Sequence, residues 1–223
     1  MKYKKQDLGY TQGLVVSSIG QSSSLALLWK LETMVAIQGF SQWHIDAYIT
    51  CNKTGKTWRM TGFCGQPDTS KREETWSILE SLGHANQLLW LCIKDYNEII
   101  TQSKKSRGRL QPVRQLDRFR QAIHLCGFQD LGFVGSPFTR SRTDRVEGQM
   151  RIRLDKALAN NAWRLLFHGA AVHQISMSTS DHSMLSLCLK DDRHNRRTNK
   201  KLFWFEEMWL SDPRCSKVVQ ESW

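Results

Sequence analysis

The sequence lacks paired cysteines. None of its six cysteines forms a Cys-x-x-Cys pair or stands at the spacing from a histidine that a tetrahedral zinc site requires. Most of them lie within apolar stretches, where a free cysteine behaves as a small hydrophobic residue. These features exclude a zinc ribbon and a disulfide framework, and they predict a protein of a reducing compartment.

Long apolar runs are missing as well. No stretch is long enough to cross a bilayer. The basic start, Met1 to Lys5, leads into the polar residues Gln6 and Asp7 and not into the apolar core of a signal peptide. We therefore expect a soluble, intracellular protein with no membrane partner.

Acidic residues are few compared with basic ones. The chain has 21 Asp and Glu against 32 Lys and Arg, which gives a net charge of +11. This excess favours an anionic partner, with nucleic acid ahead of a membrane surface, although solubility alone is an alternative explanation. With 223 residues, 40% of them apolar, and nine Trp, the chain can bury the core of one globular domain.

A buried strand is predicted in the middle of the chain. The six apolar residues from Leu88 to Ile93 have the length of a strand buried on both faces. Asp95 and Asn97 follow, and on extended backbone both side chains would leave one face at the strand's carboxyl end, where α/β sheets bind ligands. Asp95 could deprotonate a water that Asn97 helps to position. An Asx-turn that closes the strand is the alternative interpretation.

Two further polar clusters adjoin predicted elements. Asp181 and His182 precede an alternating apolar run and can supply a metal ligand and a donor to a phosphate oxygen. Asp155 offers a third acid where a predicted strand turns into a predicted helix. The alternatives are that Asp155 caps that helix and that His182 is an ordinary surface residue.

The periodicity of apolar residues predicts alternating strands and helices. Strands are expected at residues 14–16, 25–29, 34–40, 45–50, 58–64, 88–93, 150–153, 171–175 and 184–189, and those from 25 to 64 form an antiparallel meander. Helices are expected at residues 1–9, 67–83, 113–125, 155–160 and 163–167. The segment 132–149 is predicted to be a loop and hairpin. Its Arg140, Arg142 and Arg145 form either a rim that faces nucleic acid or a solvated loop.

Several short stretches, in their order and spacing, resemble the endonuclease domain of plant LINE-type (non-LTR) retrotransposons over nearly the whole chain. This is an endonuclease/exonuclease/phosphatase (DNase I-like) domain. The resemblance implies an α/β (α+β) four-layered sandwich of two packed mixed β-sheets flanked by helices. The matching stretches are residues 24–30, 58–65, 119–127 and 130–133, together with Asp95-Tyr-Asn-Glu-Ile99, Arg153-Leu-Asp-Lys-Ala-Leu-Ala-Asn160 and Ser180-Asp-His182.

The resemblance also implies a division of the chain. Residues 1–190 would form the endonuclease-like domain. Residues 191–223, a basic linker followed by an aromatic segment, would form the connector towards a reverse transcriptase that this sequence does not contain.

The chemistry implied by the resemblance is hydrolysis of DNA phosphodiesters by an activated water, with Mg²⁺ or Mn²⁺ and no small-molecule cofactor. Asp95 would deprotonate the water, and Asn97 would position that acid and the phosphate. His182 would hydrogen-bond the scissile phosphate while Asp155 holds its ring, and Asp181 would help to bind the metal. A protein that acts on genomic DNA in this way would be nuclear.

The sequence departs from the family pattern at several positions. The strands that carry the family's first Asn and its metal-binding Glu are expected upstream of Met1, so we expect an N-terminally truncated domain. Cys64 stands in place of a Tyr, Lys94 in place of a Gly and Arg140 in place of a Trp. These departures predict an impaired endonuclease. The alternatives are a non-catalytic, basic nucleic-acid-binding remnant and, third, a phosphatase on the same fold.

Overall fold

The computed structural model describes residues 9–17, 24–50, 55–84, 88–144, 148–177 and 180–189. All of them belong to the first of the two units into which the chain divides, Met1–Asp191. The predicted connector at 191–223, Arg145 and nearly all of the helix expected at 1–9 lie outside the described residues.

The described residues contain strands β1 to β12 and helices α1 to α3. The strands are β1 Gln12–Val16, β2 Leu25–Trp29, β3 Met34–Ser41, β4 His44–Thr50, β5 Thr57–Phe63, β6 Trp90–Asp95, β7 Phe128–Asp130, β8 Arg140–Asp144, β9 Gly148–Ile152, β10 Asp155–Asn160, β11 Ala171–Ile175 and β12 Met184–Cys188. The helices are α1 Arg72–His84, α2 Val113–Leu125 and α3 Asn161–Leu166. None of these helices is both long and apolar enough to span a membrane.

A mixed six-stranded sheet is the centre of the fold. Its strand order is β3-β4-β5-β6-β10-β7, and only β5 and β6 among the neighbouring pairs run parallel. A parallel pair needs a crossover connection, and α1 supplies it. The predicted meander is confirmed for β3, β4 and β5, whereas β2 pairs with β1 in a separate sheet. The predicted buried strand, β6, lies between β5 and β10.

Helices α1 and α2 cover one face of this sheet. Trp90 and Cys92 of β6 point to this face and pack in one apolar cluster with Trp76 of α1 and Phe119 of α2. The rings of Trp76 and Phe119 have centroids 4.6 Å apart. Helix α2 has the bounds that its apolar periodicity predicts, because Leu116, Phe119, Ala122 and Ile123 form its buried side.

Two-stranded sheets cover the opposite face. Leu91 of β6 packs with Val172 of β11, and Leu185 of β12 packs against the same cluster. Leu25 of β2 packs on Ile45 of β4 in a separate cluster. The predicted strands at 171–175 and 184–189 are β11 and β12, and they pair with each other and not with the six-stranded sheet. The layers of helices, central sheet and smaller sheets confirm the predicted mixed α+β fold class. Among the described residues only the six-stranded sheet is mixed, because each smaller sheet is an antiparallel pair.

Residues 155–160 form strand β10, and the prediction of a helix there was wrong. Lys, Ala and Leu are good helix formers, so local propensity favours a helix. Burial decides otherwise, because β10 pairs with β6 on one side and with β7 on the other. Small residues fit where the strand is covered, and Ala157 and Ala159 are both fully buried. The helix starts directly after this strand, at α3, where the side chain of Asn160 accepts a hydrogen bond from the amide of Trp163 at 3.0 Å.

Candidate active site at the ends of strands β6 and β10

Asp95 is the last residue of β6 and begins a tight turn. Its Oδ1 accepts a hydrogen bond from the amide of Asn97 at 2.7 Å, which is an Asx-turn. Asn97 has a φ of 52°, so the backbone does not stay extended and the two side chains do not leave one face as expected. The carboxamide of Asn97 donates to the carbonyl oxygen of Gly65 at 2.7 Å. Asn97 therefore positions Asp95 through its backbone and anchors the turn through its side chain.

Gly65 must be a glycine to receive this turn. Its amide donates to the carbonyl oxygen of Asp95 at 2.8 Å. A Cβ at this position would lie 2.1 Å from the carbonyl oxygen of Tyr96. The close approach of the two backbones fixes the carboxyl end of β6 against the chain that follows β5.

Asp155 stands directly opposite Asp95. The two residues are paired in the antiparallel register of β6 and β10, and their side chains belong to the face that the small sheets cover. Thr139 holds the backbone of Asp155, because its Oγ1 accepts from the amides of Leu154 and Asp155, each at 3.0 Å. The sequence offered no separate signal for Thr139, which is only 1% exposed.

His182 completes a cluster with these two acids. Ligand atoms of Asp95, Asp155 and His182 all lie within 4.8 Å of one another. Nδ1 of His182 is 3.1 Å from Oδ2 of Asp155, the contact that a carboxylate needs in order to fix an imidazole ring. The amide of Ser183 donates to the carbonyl oxygen of Thr139 at 2.7 Å, so the segment that carries His182 is tied to the one that supports Asp155.

Asp181 lies outside this cluster. Its carboxylate forms an ion pair with Arg140, with Nε and Oδ2 2.9 Å apart. Desolvation works to raise the pKa of Asp181, but the hydrogen bond and the positive charge of Arg140 outweigh it and hold that pKa below its usual value. The assignment of Asp181 as a metal ligand therefore stays a prediction.

The cluster shifts the pKa values of two of its members upward. Burial, followed by the neighbouring carboxylate of Asp155, raises the pKa of Asp95, against the hydrogen bond from Asn97. The hydrogen bond that Nδ1 of His182 donates to Asp155 raises the pKa of His182, against partial burial. Asp95 is thus a stronger base than an exposed Asp, and His182 holds a proton more readily than a free imidazole.

A buried lysine lies on the other side of the same strand. Lys156 points to the helix-covered face, is fully buried, and donates to three backbone carbonyl oxygens. Burial lowers the pKa of Lys156 to about 8. Periodicity could not reveal it, because Lys in a predicted helix is expected to be solvated.

The donor set fits a hard divalent cation. Mg²⁺ in proteins is held by one or two carboxylates and keeps several water ligands. Asp95 and Asp155 each use one oxygen in the hydrogen bonds described above, which leaves the second oxygen of each carboxylate for a cation or a water. The Nδ1 of His182 is engaged with Asp155, so Nε2 is the ring nitrogen left for a phosphate oxygen.

This architecture is the endonuclease/exonuclease/phosphatase (DNase I-like) fold, as solved structures show. The endonuclease domain of TRAS1, a telomere-specific non-LTR retrotransposon, matches with a TM-score of 0.58 and 12% identity over 78% of each chain. A functionally unknown conserved protein from Enterococcus faecalis V583 matches with a TM-score of 0.53 and 13% identity over 83% of this chain and 81% of that one. No family model and no curated protein matches the sequence.

Proposed function

We propose that this protein is a divalent-metal-dependent DNA endonuclease of the non-LTR retrotransposon type, with impaired activity. The observation that carries the proposal is the cluster of Asp95, Asp155 and His182 at the edge of the central sheet. The same fold in a retrotransposon endonuclease domain supports DNA as the substrate. The net charge of +11 supports it as well.

Each member of the cluster has a distinct role in this proposal. Asp95, with its raised pKa, accepts the proton of the attacking water, and Asn97 keeps the carboxylate in place. His182 donates from Nε2 to the scissile phosphate while Asp155 stabilises its protonated ring. A bound Mg²⁺ or Mn²⁺, held by the free carboxylate oxygen of Asp155 and by water, would supply positive charge to the phosphate.

A polar groove beside His182 supports a nucleic-acid substrate. It has a volume of about 300 Å³ and is lined by Arg140, Ser141, Gln149 and Arg151 of the β8–β9 hairpin, together with His182. Arg, Ser and Gln are the side chains that donate to the phosphates of DNA and read base edges. A strand bound along this groove would place a phosphate next to His182.

Two described residues support the impairment. Asp181 is paired with Arg140, so one acid expected to assist the metal is neutralised by its neighbour. Cys64, 3% exposed, belongs to an apolar cluster with Leu25 and Ile45, so the position expected to carry a phenol offers no donor to a phosphate.

The proposal is tested by nicking of supercoiled plasmid at high protein concentration with Mg²⁺ or Mn²⁺. We expect slow nicking that stops with a chelator. A general base contributes a factor of about 10² to 10⁴, so Asp95→Asn and His182→Ala should reduce the rate to background. Lys71→Gln, a change at an exposed residue before α1, serves as the control and should nick like the unmodified protein. Nicking that survives Asp95→Asn would contradict the assigned site.

The second candidate is a non-catalytic, basic nucleic-acid-binding protein. The Arg140–Asp181 ion pair favours it, because this pair neutralises an acid that was expected to help bind the metal. This candidate predicts DNA binding without any nicking above the Asp95→Asn background. Hydrolysis of a soluble phosphate monoester without nicking would instead promote a phosphatase. The same protein preparation serves all three assays, so the outcomes are directly comparable.

A further inference from the structure

Two buried charged residues connect the turns that carry Asp95 and Asp155. The first is Lys156, whose Nζ donates to the carbonyl oxygens of Arg153 and Leu154 at 3.1 and 3.0 Å and also to that of Glu98. An ammonium group has three donors, so all of them are satisfied by backbone. Arg153 and Leu154 immediately precede Asp155, whereas Glu98 ends the turn that follows Asp95. One ammonium group therefore bridges both turns.

The second residue is Glu98, which is fully buried. Its Oε2 accepts from Nη1 of Arg72 at 2.6 Å and from the side chain of Gln115, and its Oε1 accepts from the amide of Ile99 at 2.9 Å. Arg72 belongs to α1 and Gln115 to α2. The carboxylate thus fastens the Asp95 turn to both helices, while the backbone carbonyl of the same residue is fastened to Lys156.

A third contact closes the connection between the turns. The amide of Tyr96 donates to the carbonyl oxygen of Leu154 at 3.2 Å, so this oxygen accepts from the backbone of one turn and from Lys156 at once. The ammonium group also lies 5.7 Å from the ring centroid of Tyr96 and 5.5 Å from that of Phe119. Aromatic faces stabilise a buried cation that has no carboxylate in direct contact.

We propose that Lys156 and Glu98 are positioning residues that fix the separation of the Asp95 and Asp155 carboxylates from beneath the site. The inference rests on the proposed function in that it deepens the role of the same two acids. Two like charges placed opposite each other in a sheet repel, and strands β6 and β10 alone would relax by moving apart at their ends. The hydrogen bonds of Lys156 oppose this movement, and neither residue touches the substrate.

The test compares Lys156→Met and Glu98→Gln with Leu79→Ala. Met keeps the length of the Lys side chain but cannot donate, and Gln keeps the shape of Glu without its charge. Leu79 is fully buried in the same apolar cluster as Tyr96, so Leu79→Ala shows how far a loss of packing alone changes the two readouts. The first readout is hydrogen exchange of the Tyr96 and Asn97 amides without metal, and the second is Mn²⁺ affinity by electron paramagnetic resonance.

We expect the two turn variants, Lys156→Met and Glu98→Gln, to exchange hydrogen at the Tyr96 and Asn97 amides faster than Leu79→Ala does. Loss of residues that orient metal ligands commonly weakens metal affinity about 10-fold to 100-fold, and we expect a loss of this size in Mn²⁺ affinity. Leu79→Ala should bind Mn²⁺ like the unmodified protein. Unchanged exchange and unchanged Mn²⁺ affinity in a folded variant would overturn the inference.

The two proposals fail in different ways. If the unmodified protein binds no Mn²⁺ but the turn variants exchange faster at Tyr96 and Asn97, the metal-dependent function is wrong and the positioning role is supported. If Lys156→Met does not fold, Glu98→Gln decides, because it keeps the backbone carbonyl that Lys156 binds. If hydrogen exchange in Glu98→Gln is faster at all amides, and no faster at Tyr96 and Asn97 than elsewhere, Glu98 has a role in stability only.

Discussion

Asp95 carries an electrostatic cost in the folded protein. Its carboxylate is partly buried and faces the carboxylate of Asp155 across the β6–β10 pair, and both conditions disfavour its charged form. A protein that only needed stability would place an amide here. A base near a phosphate needs the charge, so the cost fits a catalytic residue better than a structural one.

The first prediction concerns the stability of Asp95→Asn. Because the folded pKa of Asp95 is raised, this residue favours folding while it is protonated, and that contribution is lost as the pH rises from the unfolded value of about 3.9 through the folded pKa. The Asn variant should therefore be more stable than the unmodified protein at pH 7 and no more stable at pH 3. Thermal unfolding measured across this range checks it. A lower melting temperature at pH 7 would contradict it.

The second prediction concerns the protonation of His182. The hydrogen bond that His182 donates to Asp155 raises the folded pKa of His182. The contribution of His182 to stability is therefore complete below about pH 6.5 and is lost as the pH rises through the folded pKa. In Asp155→Asn the pKa of His182 should fall, which an NMR titration of the imidazole measures. His44, whose pKa is lowered by burial, gives an internal control and should not change. If the pKa of His182 in Asp155→Asn equals that in the unmodified protein, the 3.1 Å contact between His182 and Asp155 does not persist in solution.

At the scale of elements, a buried polar network joins the strands beneath the helices. Nε of Arg59 on β5 lies 2.9 and 3.0 Å from the two carboxylate oxygens of Asp46 on β4. The guanidinium of Arg59 lies 4.3 Å from the ring centroid of Trp90 on β6. Thr61 links the ends of the network, since it donates to Asp46 at 2.6 Å and accepts from the indole of Trp90 at 2.8 Å.

The third prediction is that Asp46→Ala destabilises the protein severely. Removing one partner of a buried ion pair leaves the other charge unpaired, which costs about 3 to 5 kcal/mol. The double variant Asp46→Leu with Arg59→Met removes both charges and should recover most of this loss. Chemical denaturation measures both. A double variant as unstable as the single one would mean that the cost arises from packing and not from the unpaired charge.

The elements also show what the sequence can predict. Helix α2 and strand β6 could be predicted from their own residues. Helix α2 has a 3.6-residue apolar repeat, and β6 begins within a continuous apolar run. The prediction for β10 was wrong because its strand conformation depends on hydrogen bonds to the neighbouring strands β6 and β7. Local propensity contains no information about those partners.

The site follows the same rule. Asp95, Asp155 and His182 were selected because each adjoins an apolar element and matches a short family pattern, and the structure brings them together. Thr139 and Lys156 act through backbone groups that lie far from them in the chain or on another strand. The spacing of residues in the sequence does not indicate long-range contacts to backbone groups, so these two residues could be found only from the three-dimensional structure.

For the molecule as a whole, the question is where the excess positive charge acts. The groove next to His182 is lined by side chains of the β8–β9 hairpin, among them the exposed Arg151, and the exposed Arg142 lies on the same hairpin. Arg140 differs from both because it is committed to Asp181. If DNA lies across this hairpin, the exposed arginines contact phosphates and Arg140 does not contribute its full charge. The alternative, a solvated hairpin, predicts that these residues are no more important for binding than any others of the same charge.

The last prediction separates these interpretations by the salt dependence of duplex DNA binding. Each phosphate contact contributes about −0.9 to the slope of log K against log salt, because the protein releases a condensed counterion there. Arg142→Gln with Arg151→Gln should therefore make the slope shallower by about 2 and weaken binding on every sequence tested. Lys71→Gln with Arg114→Gln, exposed residues before α1 and in the first turn of α2, changes the net charge equally and should leave the slope nearly unchanged. Fluorescence anisotropy at several salt concentrations gives both slopes. Equal slopes for the two double variants would mean that the hairpin is a solvated surface and that DNA binds elsewhere or through net charge alone.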